Sequence, residues 1–220
     1  MADWASHVER EAARYQDGEG RLGQAADADS RQRQLTRMGN AAGGAGLALL
    51  MQNRADEAGE WFDRAARRYR ESYDDAPPGS WGRPIGMIKS RVLAGDWEAA
   101  AEEARFALGQ GAADSGSPIG RYAACLALLV LGRDAEARPL ADALRTVDGF
   151  PHDVGDSLAT IAAGDPVGYV EAVESVLESF VSRDEYLEDV PVADTVIVLQ
   201  GLAGRRGLAA DLASPLLPPA

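Results

Sequence analysis

ADEAGEWFDRAARRYRESY (residues 55–73) is the stretch of sequence that decides the fold class. Its apolar residues recur three and four positions apart, which is the spacing of one face of an α-helix. The stretch therefore predicts an amphipathic helix. The apolar stripe of that helix consists of Ala58, Trp61, Phe62, Ala65, Ala66, Tyr69 and Tyr73.

The turn before this helix recurs along the chain. MQNRADEA (51–58), LAGDWEAA (93–100) and LGRDAEAR (131–138) each follow an apolar helix, turn at Asn, Gly or Asp, and restart with Glu-Ala. A fourth, degenerate copy turns at Gly164-Asp165. An Asp or Asn in the turn is suited to cap the new helix, and a Glu suits the positive end of its dipole. The Glu-Ala pairs are 41 and 38 residues apart, which indicates stacked helix pairs with loops of variable length.

We therefore predict an all-α fold of stacked antiparallel helix pairs. It resembles the α-solenoids of tetratricopeptide-type repeats. The chain is expected to form a single helical-repeat domain over residues 1–220. Its parts are an N-terminal helix and turn (1–28), an array of helix hairpins (29–182), and an acidic loop, closing helix and Pro-rich tail (183–220).

Glycine affects two of the expected helices. The first helix is predicted to end near residue 16, because QDGEGRLG (16–23) is rich in glycine. The second, from about Ser30 to Gln52, contains four glycines. It is predicted to pack tightly against a neighbour or to bend near Gly43-Gly44.

Composition argues against several classes of protein. The net charge of −13 disfavours nucleic-acid binding, because phosphate backbones are repelled. The longest apolar run is far shorter than the roughly 20 residues that span a bilayer. With no basic-then-apolar N-terminal pattern, a cytoplasmic protein is expected. Cys125 is the only cysteine, so it cannot form an intramolecular disulfide and is expected to be a buried hydrophobe.

No catalytic signature is found in the sequence. Neither a Gly-x-Ser-x-Gly elbow nor a phosphate-binding loop ending in Gly-Lys-Ser or Gly-Lys-Thr occurs. His7 and His152 have no second ligand at metal-binding spacing. We expect a protein without catalytic residues, bound metal or cofactor.

Three groups of residues are candidates for binding a protein partner. The first is a cationic anchor beside an aromatic ring, although Lys89 can also be explained as a side chain that reaches solvent from a helix seam. The second is an arginine pair that suits an acidic peptide or a phosphate, or else a solvated face balanced by nearby carboxylates. The third is an acidic edge for a basic partner, or a solvated loop. In order, the groups are Trp81, Arg83 and Lys89; Arg64 and Arg68; and Asp184, Glu185, Glu188 and Asp189.

Two segments carry a more specific resemblance. They are WGRPIGMIKSRVLAGD (81–96) and YLEDVPVADTVIVLQGLAGRRGLAADLASPLLP (186–218). With the hairpins between them, they resemble the helical immunity proteins of bacterial polymorphic-toxin systems, immunity family 49. The resemblance implies a cytoplasmic protein that binds and neutralises a cognate toxin by covering its active surface. No contact residue and no toxin identity follow from it.

Two other functions remain open at this level. One is a ligand-sensing or peptide-sensing regulatory or scaffold protein with an apolar pocket inside the array. The other is an enzyme that uses a lysine with carboxylates, or a pair of carboxylates. A homodimer is compatible with each of them. A toxin-like reading frame immediately upstream would favour the immunity role, and a DNA-binding or signalling neighbour would favour regulation.

Overall fold

In a computed structural model, which describes residues 3–219, helices account for all of the regular secondary structure. No β-strand occurs in these residues, so the all-α prediction is confirmed. The α-helices of the described range are α1 Trp4–Leu22, α2 Ala28–Leu50, α3 Ala55–Tyr73, α4 Gly82–Leu93, α5 Trp97–Gly109, α6 Pro118–Val130, α7 Asp134–Leu144, α8 His152–Ala163, α9 Pro166–Val181 and α10 Asp194–Gly204.

The described chain divides into two compact units. The first contains residues 3–96, 184–192 and 215–219, and the second contains residues 97–183 and 193–214. We call residues 184–192, which include the short 3-10 helix Leu187–Asp189, the acidic segment. The single repeat domain over residues 1–220 stays a prediction.

The recurring turn has the same backbone conformation in all four copies. It contains one residue with a positive φ, which is 58° at Asn53, 72° at Gly95, 69° at Gly132 and 66° at Gly164. Glycine and asparagine tolerate this left-handed conformation better than other residues do. Each of these turns separates two consecutive helices, so the sequence repeat marks four helix–turn–helix units.

The predicted capping holds in only some of the copies. Asp165 caps α9, because its carboxylate accepts a hydrogen bond from the backbone N–H of Gly168 at 3.1 Å. Before α3 and α7, however, the capping position is occupied by arginine, which makes no capping bond. Arg54 instead donates two hydrogen bonds to Glu57, and Arg133 makes the same pair to Glu136. These bonds lower the pKa of both glutamates.

Helix α1 is longer than predicted because one of its glycines, Gly18, packs against α2 instead of ending the helix. The helix continues to Leu22, beyond the expected end near residue 16. Gly18 is buried, and a Cβ at this position would lie 2.5 Å from Cγ of Met38 in α2. The missing side chain therefore lets α1 and α2 approach closely. The prediction that this glycine-rich stretch ends the helix was wrong.

Helix α2 confirms the tight-packing alternative for its glycines. It runs as one continuous helix from Ala28 to Leu50. A Cβ on Gly39 would lie 2.9 Å from the ring of Tyr69, and a Cβ on Gly46 would lie 2.7 Å from the ring of Phe62. Both rings belong to α3, so large side chains of α3 pack against glycines of α2.

In the second unit, α6 lies at the centre. It packs against α5, α7 and α8, and every residue from Tyr122 to Val130 is buried. A helix that is apolar on all sides is expected to lie inside a core. Cys125 belongs to this buried run, as expected from its surroundings in the sequence.

Candidate binding site

An arginine-lined cleft of about 340 Å³ runs along α3. Helical spacing places its lining on one side of α3, because residues three and four positions apart are neighbours on a helix. Three guanidinium groups and two carboxylates give the lining a net positive charge, on a chain whose net charge is −13. The cleft is lined by Tyr15 of α1 and by Asp63, Arg64, Arg67, Arg68 and Glu71 of α3.

Arg68 is fixed at the side of this cleft that faces α1. Its Nε donates to the Tyr15 hydroxyl at 2.9 Å, and its two terminal nitrogens donate to Glu71 at 2.9 Å and to Glu19 at 3.1 Å. Burial opposes the charge of Arg68, but the bonds to Tyr15 and Glu71 outweigh it and raise the pKa of Arg68. The Tyr15 ring is itself held edge-on against Trp61, with ring centroids 5.6 Å apart. Arg68 therefore forms a wall of the cleft that is rigid and charged.

Arg64 and Arg67 are exposed and more loosely held. Arg64 lies 3.8 Å from Glu60, with its guanidinium 4.4 Å from the centroid of the Trp61 ring. Arg67 pairs with Asp63 at 2.8 Å, and its side chain is 70 % exposed. An exposed ion pair contributes about 0–1 kcal/mol. Arg64 can therefore exchange Glu60 for a carboxylate of a ligand at little cost. Asp63 is half-buried and also pairs with Arg91, so it keeps a partner when Arg67 binds a ligand instead.

Trp81, Arg83 and Lys89 do not lie on the surface as one patch. Trp81 precedes α4 and is only 8 % exposed. Arg83 donates to Ser72 Oγ at 2.8 Å and also to Gln32, and burial lowers its pKa. Lys89 is half-buried on α4. Trp81 and Arg83 thus face the helices of the first unit and offer little surface to a partner.

The four residues of the acidic edge have different surroundings. Asp184, Glu185 and Asp189 are exposed. Glu188 is not, because 11 % of its side chain is accessible and its carboxylate pairs with Arg14 of α1. It also accepts a hydrogen bond from Asn40 of α2 at 3.1 Å. The structure therefore separates Glu188 from its three neighbours.

The sequence did not predict the group of residues in α1 and α2 that binds Glu188. At its centre is Glu11, a fully buried carboxylate that accepts hydrogen bonds from Arg10 at 2.7 Å and from Arg14 at 3.1 Å. A signal for it was present. Glu11 lies three positions after Val8 and four before Tyr15, which places a carboxylate on the apolar stripe of α1.

The second unit has a smaller cleft, of about 200 Å³, at the C-terminal end of α6. The guanidinium that lines this cleft together with that of Arg205 belongs to Arg206, whose side chain is 13 % exposed. This group donates to the carbonyl oxygens of Leu129 and Leu202, both at 2.8 Å, and to the carboxylate of Asp134 at 3.0 Å. Arg206 thus joins the ends of α6 and α10 to the start of α7, and its role is structural.

Comparison with protein-family models, curated proteins and solved structures finds no match. Among residues 3–219, no helix has both the length and the apolar character needed to cross a membrane. Within the same residues, no cluster of three or more His, Cys, Asp or Glu side chains is placed to hold a metal ion.

Proposed function

We propose that this chain is a non-catalytic protein-binding module that docks an acidic segment of a protein partner in the arginine-lined cleft. The observation that carries the proposal is the pairing of two loosely held guanidinium groups, on Arg64 and Arg67, with a third that Tyr15 fixes in place. We further propose that the helix pairs stack as a tetratricopeptide-like array.

Arginine suits this role better than lysine would. Its planar guanidinium binds a carboxylate through two parallel hydrogen bonds, and it also stacks on aromatic rings. Arg64 already lies over Trp61. Neighbours on a helix have Cβ atoms about 5–6 Å apart, so two carboxylates one turn apart on a partner helix fit this spacing.

An immunity role is the most specific form of the proposal. Many exposed carboxylates, including Asp184, Glu185 and Asp189, contribute to the net charge of −13. Such a charge speeds encounter with a basic toxin, and the cleft then fixes the orientation of the complex through local contacts. The partner is thus expected to be basic overall and to place an acidic segment in the cleft.

Charge reversal at the two loosely held arginines tests the proposal. Arg64→Glu/Arg67→Glu is compared with Arg21→Glu/Arg33→Glu, whose arginines also lie in the first unit and also pair with a carboxylate four residues earlier. The side chains of Arg21 and Arg33 are 64 % and 65 % exposed. Both double variants change the net charge equally, so they separate the effect of the cleft from the effect of total charge.

The assay is quantitative affinity capture with the tagged chain from the organism that encodes it, followed by binding measurements with each purified partner. The cleft variant is expected to lose about 2 kcal/mol, or about thirtyfold in affinity, while the control retains its affinity. Equal binding by the two variants would refute docking in the cleft. If the partner is a toxin, co-expression of the wild type restores growth and co-expression of the cleft variant does not.

A further inference from the structure

The carboxylate of Glu188 is received by donors from two helices. Arg14 of α1 pairs with one carboxylate oxygen, and the side-chain amide of Asn40 in α2 donates to the other at 3.1 Å. Arg10 donates to the backbone carbonyl oxygen of Glu188 at 2.5 Å. A side chain and its own backbone are thus recognised together.

These donors are held in place by groups that do not touch the carboxylate of Glu188. The fully buried Glu11 accepts hydrogen bonds from both Arg10 and Arg14. The hydroxyl of Tyr69 donates to Oδ1 of Asn40 at 2.9 Å, which fixes the amide so that its nitrogen faces Glu188. Both sets of contacts leave the donors oriented toward the position that a carboxylate occupies.

The backbone of α2 comes close enough to complete this arrangement. A Cβ on Gly44 would lie 3.1 Å from Cγ of Glu11. Because Gly44 has no side chain, the buried carboxylate fits between α1 and α2. Glu11 supplies one negative charge against two guanidinium groups, and the carboxylate of Glu188 balances the second. Burial disfavours the charge on Arg14, but Glu11 and Glu188 outweigh it and raise the pKa of Arg14.

The backbone at Glu188 has an unfavourable, left-handed conformation. Glu188 and the following Asp189 both have positive φ, at 57° and 53°, and neither is glycine. Left-handed conformations are unfavourable for residues with a Cβ. Leu187 is exposed on one side of this pair, whereas Val190 is buried on the other. The pair thus lies between an exposed residue and an anchored one, and release of Glu188 would relieve its left-handed backbone.

We propose that Arg10, Arg14 and Asn40 form a carboxylate-binding site that Glu188 occupies in cis, and that a glutamate side chain from a protein partner binds there when Glu188 leaves. The site would recognise a carboxylate together with a backbone carbonyl of the same residue. It is separate from the arginine-lined cleft and does not depend on the function proposed for that cleft.

The test uses the full chain and a capped glutamate, N-acetylglutamate amide, with the matching capped glutamine as the ligand control. In the wild type, a ligand can bind only when Glu188 has left the site. If this state is about 0.1–10 % populated, the apparent affinity for the ligand is about tenfold to a thousandfold weaker. Glu188→Ala, which empties the site, is therefore expected to bind capped glutamate at least about tenfold more tightly than the wild type. Glu185→Ala removes an exposed carboxylate of the same segment and is expected to bind like the wild type.

A second substitution replaces the amide donor of Asn40 but keeps the acceptor for the Tyr69 hydroxyl. In Glu188→Ala/Asn40→Asp, the new side chain still accepts the Tyr69 hydroxyl but repels a carboxylate, so binding of capped glutamate is expected to vanish. Affinity is measured by calorimetry and by the shift in melting temperature. If Glu188→Ala does not fold, Glu188→Gln removes the charge of the internal occupant without emptying the site, and capped glutamate is still expected to bind it more tightly than the wild type.

The result that would overturn the proposal is equal affinity for capped glutamate in the wild type and the Glu188 variant. Equal binding of capped glutamate and capped glutamine would overturn it too, since the site would then not recognise charge. Binding that persists after the Asn40→Asp substitution would place the ligand elsewhere. Each of these outcomes leaves the charge-reversal test of the arginine-lined cleft unaffected.

Discussion

Two glycines of α2, Gly43 and Gly46, are expected to respond differently to the same substitution. Gly43 and Gly46 both lie inside the helix, where replacing glycine by alanine gains about 1 kcal/mol of helix propensity. Gly43 has no atom within 4 Å of the position that a Cβ would take. A Cβ on Gly46 would lie 2.7 Å from Cε1 and 2.9 Å from Cζ of Phe62. Phe62 is fully buried, so its ring cannot move into solvent.

The magnitude follows from these distances. Gly43→Ala is expected to raise the free energy of unfolding by about 1 kcal/mol. Gly46→Ala has the same gain but also forces a methyl group into a packed ring, and overpacking costs about 1–3 kcal/mol. The helix contribution cancels in the comparison. The free energy of unfolding of Gly46→Ala should therefore be about 1–3 kcal/mol lower than that of Gly43→Ala.

Urea unfolding followed by tryptophan fluorescence measures this difference. Three of the four tryptophans (Trp4, Trp61 and Trp81) belong to the first unit, which also contains both glycines. Equal slopes against urea for the two variants are required before their midpoints are converted into free energies. If Gly46→Ala is stabilised as much as Gly43→Ala, the close contact between α2 and the Phe62 ring is wrong, and with it the packing of α2 on α3.

Two further predictions concern buried polar groups. Arg83→Ala is expected to lower the free energy of unfolding by about 1–3 kcal/mol, because Ser72 and Gln32 lose a charged donor, whereas the exposed Arg33→Ala should change it by less than about 0.5 kcal/mol. Urea midpoints of the two variants decide this, and equal midpoints would show that Arg83 is not structural. Burial raises the pKa of Cys125 from its ordinary value of 9.0 to about 12, so above pH 9 the unfolded thiol loses a proton that the folded thiol retains. This difference makes the free energy of unfolding fall as the pH rises from about 9 to 12, by up to about 1.4 kcal/mol per pH unit. Cys125→Ala should show a shallower decline in the same range, and an unchanged slope would mean that the thiol is not buried.

The helices were predictable where the information is local. The apolar stripe of α3 and the recurring turn each depend on residues within a few positions, and the structure places both as expected. The end of α1 was not predictable in this way. A glycine inside a helix lowers its intrinsic stability, but Gly18 lies against Met38 of another helix, and that contact is absent from any local window.

The site around Glu11 could not be predicted from the sequence for a related reason. Arg10 and Glu188 are 178 positions apart, so their spacing contains no pattern to recognise. A carboxylate on the apolar stripe of α1 was the available local signal, and it indicates only that Glu11 needs a buried partner. The partners of Glu11 are Arg10 and Arg14, which lie on the same helix, but Glu188, which these arginines also bind, is brought to them only by the tertiary fold.

Arginine shows most clearly why function was harder to predict than fold. The chain has 21 arginines and one lysine, so residue type alone does not distinguish a structural guanidinium from one that is available to a ligand. The number of fixed acceptors makes the distinction. Arg206 donates to two backbone carbonyls and a carboxylate, and a ligand would have to replace all three of these partly buried contacts. Arg67 is exposed and has one carboxylate partner, the half-buried Asp63, which also pairs with Arg91 and so keeps a partner if Arg67 binds a ligand. Because acceptors come from distant parts of the chain, this property appears only after folding.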